Sequence, residues 1–181
     1  MIGKVCRVLY NAVRFLGKES YSNLLLVSAS TVVLKSKKAS LKVGKRFRTR
    51  RGVEINVRGN AAVVIEDNVF MNSGCIITAR DSVTIGENTI FDPNVMIFDN
   101  DHAVKDGKIM DNEFVSDKIV IGKNVWIGAG SMILKGACIE DGCIIAAGSV
   151  VKGRVEKGNV FVQKRHATLI PITSGDGKDE N

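Results

Sequence analysis

A period of six residues runs through the second half of the chain. Between residues 121 and 155 an aliphatic residue returns at every sixth position, and a small or β-branched residue stands four places after each one. The aliphatic positions are Ile121, Ile127, Ile133, Ile139, Ile145 and Val151, and the small ones are Val125, Ser131, Ala137, Cys143, Ser149 and Val155. A helix repeats about every 3.6 residues and a strand about every two, whereas six residues fit one short strand plus a turn. The pattern predicts an all-β fold, a parallel β-helix in which three such units form one coil.

The same pattern begins earlier in the chain, at wider spacing. Its inward aliphatic residues at positions 43, 65, 85, 121 and 139 lie 22, 20, 36 and 18 residues apart. A regular coil of three units needs 18 residues, so two coils carry small insertions. The interval of 36 contains residues 103–118, which are polar and lack the period. We expect this segment to be a loop ejected from the β-helix, because a long aperiodic loop in a repeat fold is usually functional.

These patterns divide the chain into three parts. Residues 1–40 are predicted to form a basic N-terminal helix over 2–17, followed by a lead-in strand over 24–34; Val5, Leu9, Val13 and Leu16 share the apolar face of that helix. Residues 41–158 are the β-helix with its ejected loop at 103–118. Residues 159–181 are predicted to be an extended segment that ends in a disordered tail, since 174–181 are small and charged.

The net charge of +7 conceals an asymmetry between the two ends of the chain. Residues 1–51 carry 13 Lys or Arg and one acid, Glu19, whereas the remaining 130 residues carry 13 basic and 18 acidic residues. The basic end is either a solvated arm or a contact for an anionic surface, most simply the cytoplasmic leaflet of a membrane. Nucleic acid is not expected, because the basic segment has no recognised binding motif and few aromatic residues.

The four cysteines, at positions 6, 75, 138 and 143, form no CxxC motif. Cys75 and Cys143 occupy the small position of the repeat, which indicates core residues in a reducing cytoplasm. No secretory signal is expected, since Arg14 and Lys18 interrupt the apolar stretch that follows Lys4 and Arg7. No cluster of ligand residues indicates a metal site. The protein is therefore expected in the cytoplasm, and its basic end allows contact with the inner face of the membrane.

Five segments carry a family likeness: residues 72–75, 85–88, 101–102, 121–128 and 146–151. They resemble the hexapeptide-repeat acyltransferases, and among these the maltose, galactoside and nodulation-type sugar O-acetyltransferases. The resemblance covers roughly residues 60–155, by the spacing of the motifs. It implies that the β-helix is left-handed, that the protein is a homotrimer, and that acetyl-coenzyme A binds in the clefts between neighbouring subunits.

His102 is the candidate catalytic residue. It ends a coil and directly precedes the ejected loop, and a neutral imidazole suits proton abstraction near pH 7. The resemblance implies that it acts as the general base, at a place where relatives have a following proline and this chain has Ala103. Without the resemblance, a surface-loop histidine is an equally good interpretation.

The resemblance also implies residues for the acceptor sugar. Asn72 matches an asparagine that hydrogen-bonds the acceptor, although a corner asparagine that satisfies the backbone is an equal alternative. The family often has a carboxylate eight residues later, where this chain has Arg80 followed by Asp81. A cation at that position would suit an acidic or phosphorylated sugar, unless Arg80 faces solvent.

A second set of residues is assigned to the coenzyme. Trp126 lies outside the inward register, which indicates packing on a ligand or on a partner. The resemblance implies a place near the coenzyme cleft, and packing in the trimer interface is an equal alternative. By resemblance, the backbone at Ala129 and Ala147 bonds the pantetheine arm. The basic candidates for the coenzyme phosphates are Lys152, Lys164 and Arg165.

These observations predict an acetyltransferase with acetyl-coenzyme A as co-substrate and a sugar or polysaccharide precursor, soluble or lipid-linked, as acceptor. The acceptor hydroxyl would attack the thioester directly, with His102 as base. Polysaccharide biosynthesis is the expected setting. Two alternatives are acetylation of an amino sugar or amino acid, and a trimeric scaffold without catalysis.

Overall fold

The computed structural model describes residues 26–164, and within this range the chain is an all-β parallel solenoid. Three parallel sheets of six strands form its sides, and each coil adds one strand to each sheet. Sheet I contains β1 (Val32–Lys35), β4 (Glu54–Val57), β7 (Ile76–Ala79), β10 (Met96–Phe98), β15 (Met132–Leu134) and β18 (Val150–Val151). Sheet II contains β2 (Ser40–Val43), β5 (Ala62–Ile65), β8 (Ser82–Ile85), β13 (Ile119–Ile121), β16 (Cys138–Ile139) and β19 (Arg154–Val155). Sheet III contains β3 (Arg48–Thr49), β6 (Phe70–Met71), β9 (Ile90–Phe91), β14 (Trp126–Ile127), β17 (Ile144–Ile145) and β20 (Val160–Phe161).

The inward register predicted from the period of six is confirmed. The six aliphatic positions from 121 to 151 are at most 1% exposed, and the six small positions are at most 5% exposed. Equivalent residues stack between coils, as in the ladder of Ile77, Ile97 and Ile133 in sheet I. Each coil hydrogen-bonds its backbone groups to the next coil and buries its apolar side chains against it. Burial and hydrogen bonding therefore accumulate along the stack.

The solenoid extends beyond both predicted boundaries of the β-helix. Leu26 bridges to Arg48, and β1 and β2 complete a first coil that starts before residue 41. At the other end, β20 pairs with β17 and carries the last coil to Phe161. Periodicity is harder to recognise in the first coil because the outward residues of β1, Val32 and Leu34, are also apolar. The predicted N-terminal helix and the terminal tail lie outside the described residues, and the hand of the coil stays a prediction.

The segment predicted as an ejected loop leaves the solenoid between β10 and β13 as an ordered hairpin. Its strands are β11 (Asn100–Lys105) and β12 (Lys108–Ser116), which pair antiparallel with an irregularity between His102 and Ala103. Ala103 is buried at the base of the hairpin, whereas Val104 and Ile109 near its tip are exposed. Among residues 26–164 there is no helix long and apolar enough to cross a membrane.

Candidate active site

His102 lies in the first strand of the hairpin, exposed to solvent, where the chain leaves the corner between sheets I and II. Its Nδ1 is 3.1 Å from the carbonyl oxygen of Met110, and its ring packs on Phe114 with 4.7 Å between centroids. A carbonyl oxygen only accepts hydrogen bonds, so Nδ1 carries the proton in this pair. The lone pair of the neutral ring then belongs to Nε2, which is the arrangement that a general base requires.

Asp99 lies directly before the hairpin and binds the backbone at its base. It is fully buried, and its carboxylate accepts hydrogen bonds from the backbone N–H groups of Arg80 and Asp81 at 2.8 Å and from the side-chain amide of Asn100 at 2.9 Å. These bonds join the end of β7 to the start of β11. The sequence interpretation missed Asp99, although an acid in the inward register, two residues after Ile97, was a usable signal.

Arg80 shares an aromatic platform with His102. Its guanidinium carbon is 3.3 Å from the centre of the Phe114 ring. Within residues 26–164 Arg80 forms no ion pair, and its Nε is buried without a hydrogen-bond partner. The carboxylate of Asp99 is occupied by N–H groups, and that of Asp101 lies 3.0 Å from the Lys135 ammonium. Among the described residues, an imidazole and a guanidinium without an ionic partner therefore pack on one ring, and Asp81, next to Arg80 in the chain, is exposed.

Trp126 lies on the outward face of sheet III, with 48% of the residue exposed. Its indole N–H donates to the carboxylate of Asp92 at 3.0 Å. Asp92 follows β9 just as Asn72 follows β6, so the two side chains occupy equivalent corners of adjacent coils. The side-chain oxygen of Asn72 accepts the backbone N–H of Ser73 at 2.9 Å, which fits its interpretation as a corner asparagine.

The remaining coenzyme candidates are divided between two edges. Ala129 and Ala147 are exposed at the corner between sheets III and I, and the N–H of Gly148 donates to the carbonyl of Ala129 at 2.7 Å. Lys152 is exposed at the other edge of sheet I, directly after β18. Lys164 is exposed after β20, and Arg165 lies outside the described residues.

The predicted site residues thus form two groups on one chain. His102, Arg80, Asp81 and Lys152 lie at the corner between sheets I and II, and Asn72, Trp126, Ala129 and Ala147 lie on sheet III or at its corner with sheet I. The width of sheet I separates the two groups. Among the described residues no cluster of three or more His, Cys, Asp or Glu side chains is placed to hold a metal ion.

Comparison with known proteins identifies the family. Residues 118–153 match the family model described as bacterial transferase hexapeptide (six repeats). The chain is similar to the putative lipopolysaccharide biosynthesis O-acetyl transferase WbbJ of Escherichia coli K12, at 30% identity over 131 residues, 67% of each protein. The chain belongs to the hexapeptide-repeat acetyltransferase family. The acetyltransferase is also similar to the galactoside O-acetyltransferase of Escherichia coli K12, at 38% identity over 84 residues, which are 46% of this chain and 41% of that enzyme.

A solved structure supports the fold of this acetyltransferase. A point mutant of AntD, an N-acyltransferase from Bacillus cereus in complex with dTDP and coenzyme A, superposes with a TM-score of 0.74 at 15% identity, over 84% of this chain and 83% of AntD. Identity this low concerns the fold alone. The membership confirms the resemblance drawn from the sequence motifs, and the roles of individual residues in this acetyltransferase stay predictions.

Proposed function

We propose that the protein transfers an acetyl group from acetyl-coenzyme A to a sugar hydroxyl, with His102 as the general base. The hydrogen bond from Nδ1–H to the Met110 carbonyl carries this proposal, because it leaves Nε2 as the proton acceptor. Nε2 takes the hydroxyl proton as the oxygen attacks the thioester carbonyl, and the C–S bond then breaks. The imidazolium returns its proton to the leaving thiolate, so the products are the acetyl ester and free coenzyme A.

The co-substrate assignment is supported by the family and by the side chains at the two edges. The AntD complex contains coenzyme A. In this chain the exposed Trp126 indole offers an aromatic surface, and the corners at Ala129 and Ala147 offer backbone groups to a pantetheine arm. Lys152 and Lys164 are exposed cations suited to the phosphates, and Arg165 is a further candidate.

We propose further that the complete site forms between protomers of a homotrimer. The outward faces of sheets I and III both carry apolar side chains, such as Phe98 and Leu134 on one and Ile90 and Trp126 on the other. Two different apolar faces on one chain favour a heterologous contact between protomers, and such contacts can close into a ring. Packing face I of one protomer on face III of the next would bring His102 towards the neighbour's Trp126.

The acceptor is proposed to be a sugar that carries a negative charge. The guanidinium of Arg80 packs on the same ring as the base and has no anionic partner among residues 26–164. A carboxylate or phosphate of the acceptor would supply that partner. Asp81 of the same protomer and Asn72 of the neighbouring protomer in the proposed trimer are proposed as further polar groups around the acceptor. The O-acetyltransferase names of WbbJ and the galactoside enzyme support a hydroxyl as the nucleophile.

Acetylation of an amine is the second candidate, because AntD is an N-acyltransferase. The same base serves both reactions, so a panel of amino sugars and hydroxyl sugars separates them. A trimeric scaffold without catalysis is the remaining alternative, and it gives no reason for a histidine whose tautomer is set by a carbonyl.

The proposed setting is the cytoplasm, where sugar precursors of surface polysaccharides are built. Cys75, Cys138 and Cys143 are free thiols, and reduced cysteines are typical of that compartment.

A thiol-release assay tests the mechanism. Acetyl-coenzyme A is supplied with a panel of neutral and acidic sugars, and the wild type is compared with His102→Ala. Loss of a general base typically lowers kcat about 100- to 10,000-fold, and the melting temperature should hardly change because the residue is exposed. Phe114→Leu keeps the imidazole but removes its ring contact, so kcat should fall less in this variant than in His102→Ala. Full activity of His102→Ala would refute the mechanism, and no turnover with any acceptor would favour the scaffold.

A further inference from the structure

We propose that the first two coils of the solenoid form a basic collar that docks the protein on an anionic lipid surface. The collar consists of ten residues: Lys35, Lys37, Lys38, Lys42, Lys45, Arg46, Arg48, Arg50, Arg51 and Arg58. Through the first two coils the acids are Glu54, Glu66 and Asp67. Their carboxylates accept the side-chain amide of Asn56 at 2.6 Å, the backbone N–H of Glu87 at 3.0 Å and the backbone N–H of Lys45 at 2.7 Å, respectively. The proposal goes beyond catalysis, since it concerns charges at one end of the molecule.

The charges of the collar are not neutralised within the described part of the chain. The ion pairs found there use Lys105, Lys123, Lys135 and Arg154, all in later coils or the hairpin. In the collar, Lys35 donates to the carbonyl of Ala39 and Arg48 stacks on Phe70, and neither partner is anionic. All collar residues except Lys35 and Arg58 are exposed. The collar therefore presents its positive charge to solvent.

The collar surrounds the end of the solenoid on every side. Lys37 and Lys38 lie at the corner between sheets I and II, Lys42 on sheet II, Arg48 on sheet III, and Arg50 at the corner between sheets III and I. Neighbouring coils are about 4.8 Å apart, so the whole collar lies within about 10 Å along the solenoid axis. That depth is about one Debye length at 0.1 M salt. All ten charges can therefore interact with a flat surface placed against this end of the solenoid.

This arrangement fits a flat anionic surface better than a nucleic acid. Charges for a nucleic acid usually follow a groove or one face and are interleaved with exposed aromatic rings. The collar has no such stripe: of the two aromatic residues in its coils, Phe47 is 2% exposed and Phe70 is half-buried beneath Arg48. Clusters of basic residues are attracted to bilayers that contain anionic lipids, and this attraction falls as salt is added. The expected pose sets the solenoid axis upright on the bilayer.

Vesicle co-sedimentation of the full-length protein tests the proposal. We expect binding to vesicles of phosphatidylcholine with about 30% phosphatidylglycerol at 0.1 M salt, and little binding to pure phosphatidylcholine or at 0.5 M salt. A triple variant, Lys37→Glu, Lys38→Glu and Lys42→Glu, should bind roughly 100-fold more weakly, as expected for three basic residues removed from a surface contact. A second variant, Arg50→Glu and Arg51→Glu, should also weaken binding, because the collar is a ring.

The matched control carries the same change of charge elsewhere. Lys108→Glu, Lys118→Glu and Lys157→Glu alters three exposed lysines outside the collar, and it should retain near-wild-type binding. Equal binding of the triple variant and this control to the anionic vesicles would overturn the proposal. Tighter binding of the wild type to a short DNA duplex than to the vesicles would also overturn it. Turnover of a soluble acceptor by the triple variant separates this test from the proposed chemistry, since docking does not require an active site.

Discussion

Cys75 lies at a buried corner of the solenoid, and its sulfur is 3.2 Å from the carbonyl oxygen of Asp92. Burial raises the pKa of this thiol from 9.0 to about 11. The unfolded chain releases the proton above pH 9, whereas the folded chain keeps it until about pH 11. The thiol therefore contributes stability that is complete below pH 9 and is lost as the pH rises towards 11.

Cys75→Ala should remove this part of the pH dependence. The free energy of unfolding of the wild type should fall more steeply between pH 9 and about 11 than that of the variant. Urea unfolding at several pH values in this range measures both slopes, with Cys138→Ala as the matched cysteine control. Identical slopes for the wild type and Cys75→Ala would contradict the prediction.

Arg80 should decide which acceptors the enzyme prefers. A hydrogen bond to a charged group contributes about 1.5–3 kcal/mol, so Arg80→Gln should lower kcat/KM for an acidic sugar by roughly 10- to 100-fold. Turnover of a neutral sugar should change much less. Arg58→Gln changes a half-buried arginine at the same corner one coil earlier and serves as the control. Equal losses for acidic and neutral sugars in Arg80→Gln would rule out a role in charge recognition.

At the scale of the element, the solenoid depends on backbone contacts between stacked corners. Gly86 follows β8, and a Cβ at this position would lie 2.5 Å from the carbonyl carbon of Gly122 in the next coil. Any side chain would push the two coils apart. The small residue is required here by the closeness of the backbones and not by an unusual φ angle.

Gly86→Ala should destabilise the fold by about 1–3 kcal/mol, the usual cost of overpacking a tight site. Gly130→Ala is the matched control: its φ of +67° disfavours alanine, but a Cβ there would meet nothing within 4 Å. Chemical unfolding should show the larger loss for Gly86→Ala. A larger loss at Gly130 would mean that φ, and not the distance between coils, sets the corner sequence.

The hairpin shows how far an element can be predicted from its sequence. Its polar composition and lack of a six-residue period predicted a loop at 103–118, and the structure has the hairpin at 100–116, with His102 in its first strand. Its strands could not be recognised because both faces of β12 are largely exposed, so no alternation of buried and exposed positions marks them. Cross-strand contacts such as the ion pair of Lys105 with Glu113 at 2.5 Å arise only once the hairpin is formed.

At the scale of the whole molecule, the predicted site residues lie at two edges of the chain, and the proposed mechanism therefore includes assembly into a trimer. His102→Ala and Trp126→Ala protomers should each be impaired alone. Co-expressed with different tags, they should recover about a quarter of wild-type activity, because one seam in each mixed trimer of a cyclic assembly has both side chains intact. Light scattering should show three chains. If the activity of the mixture did not exceed that of either variant alone, both residues would act within one protomer.

The sequence by itself determined the parallel coils, the inward register, the place of the hairpin and the family. These follow from a local, repeating rule, since every sixth residue must fill the same interior and every coil must pair with the next. Tertiary structure alone decided the surroundings of His102. Met110 and Phe114 contact the imidazole, and Arg80 contacts the Phe114 ring, only because the hairpin folds back over the end of β7, where Asp99 binds the backbone. Contacts between segments with different registers have no period, so they could not be predicted from a repeat in the sequence.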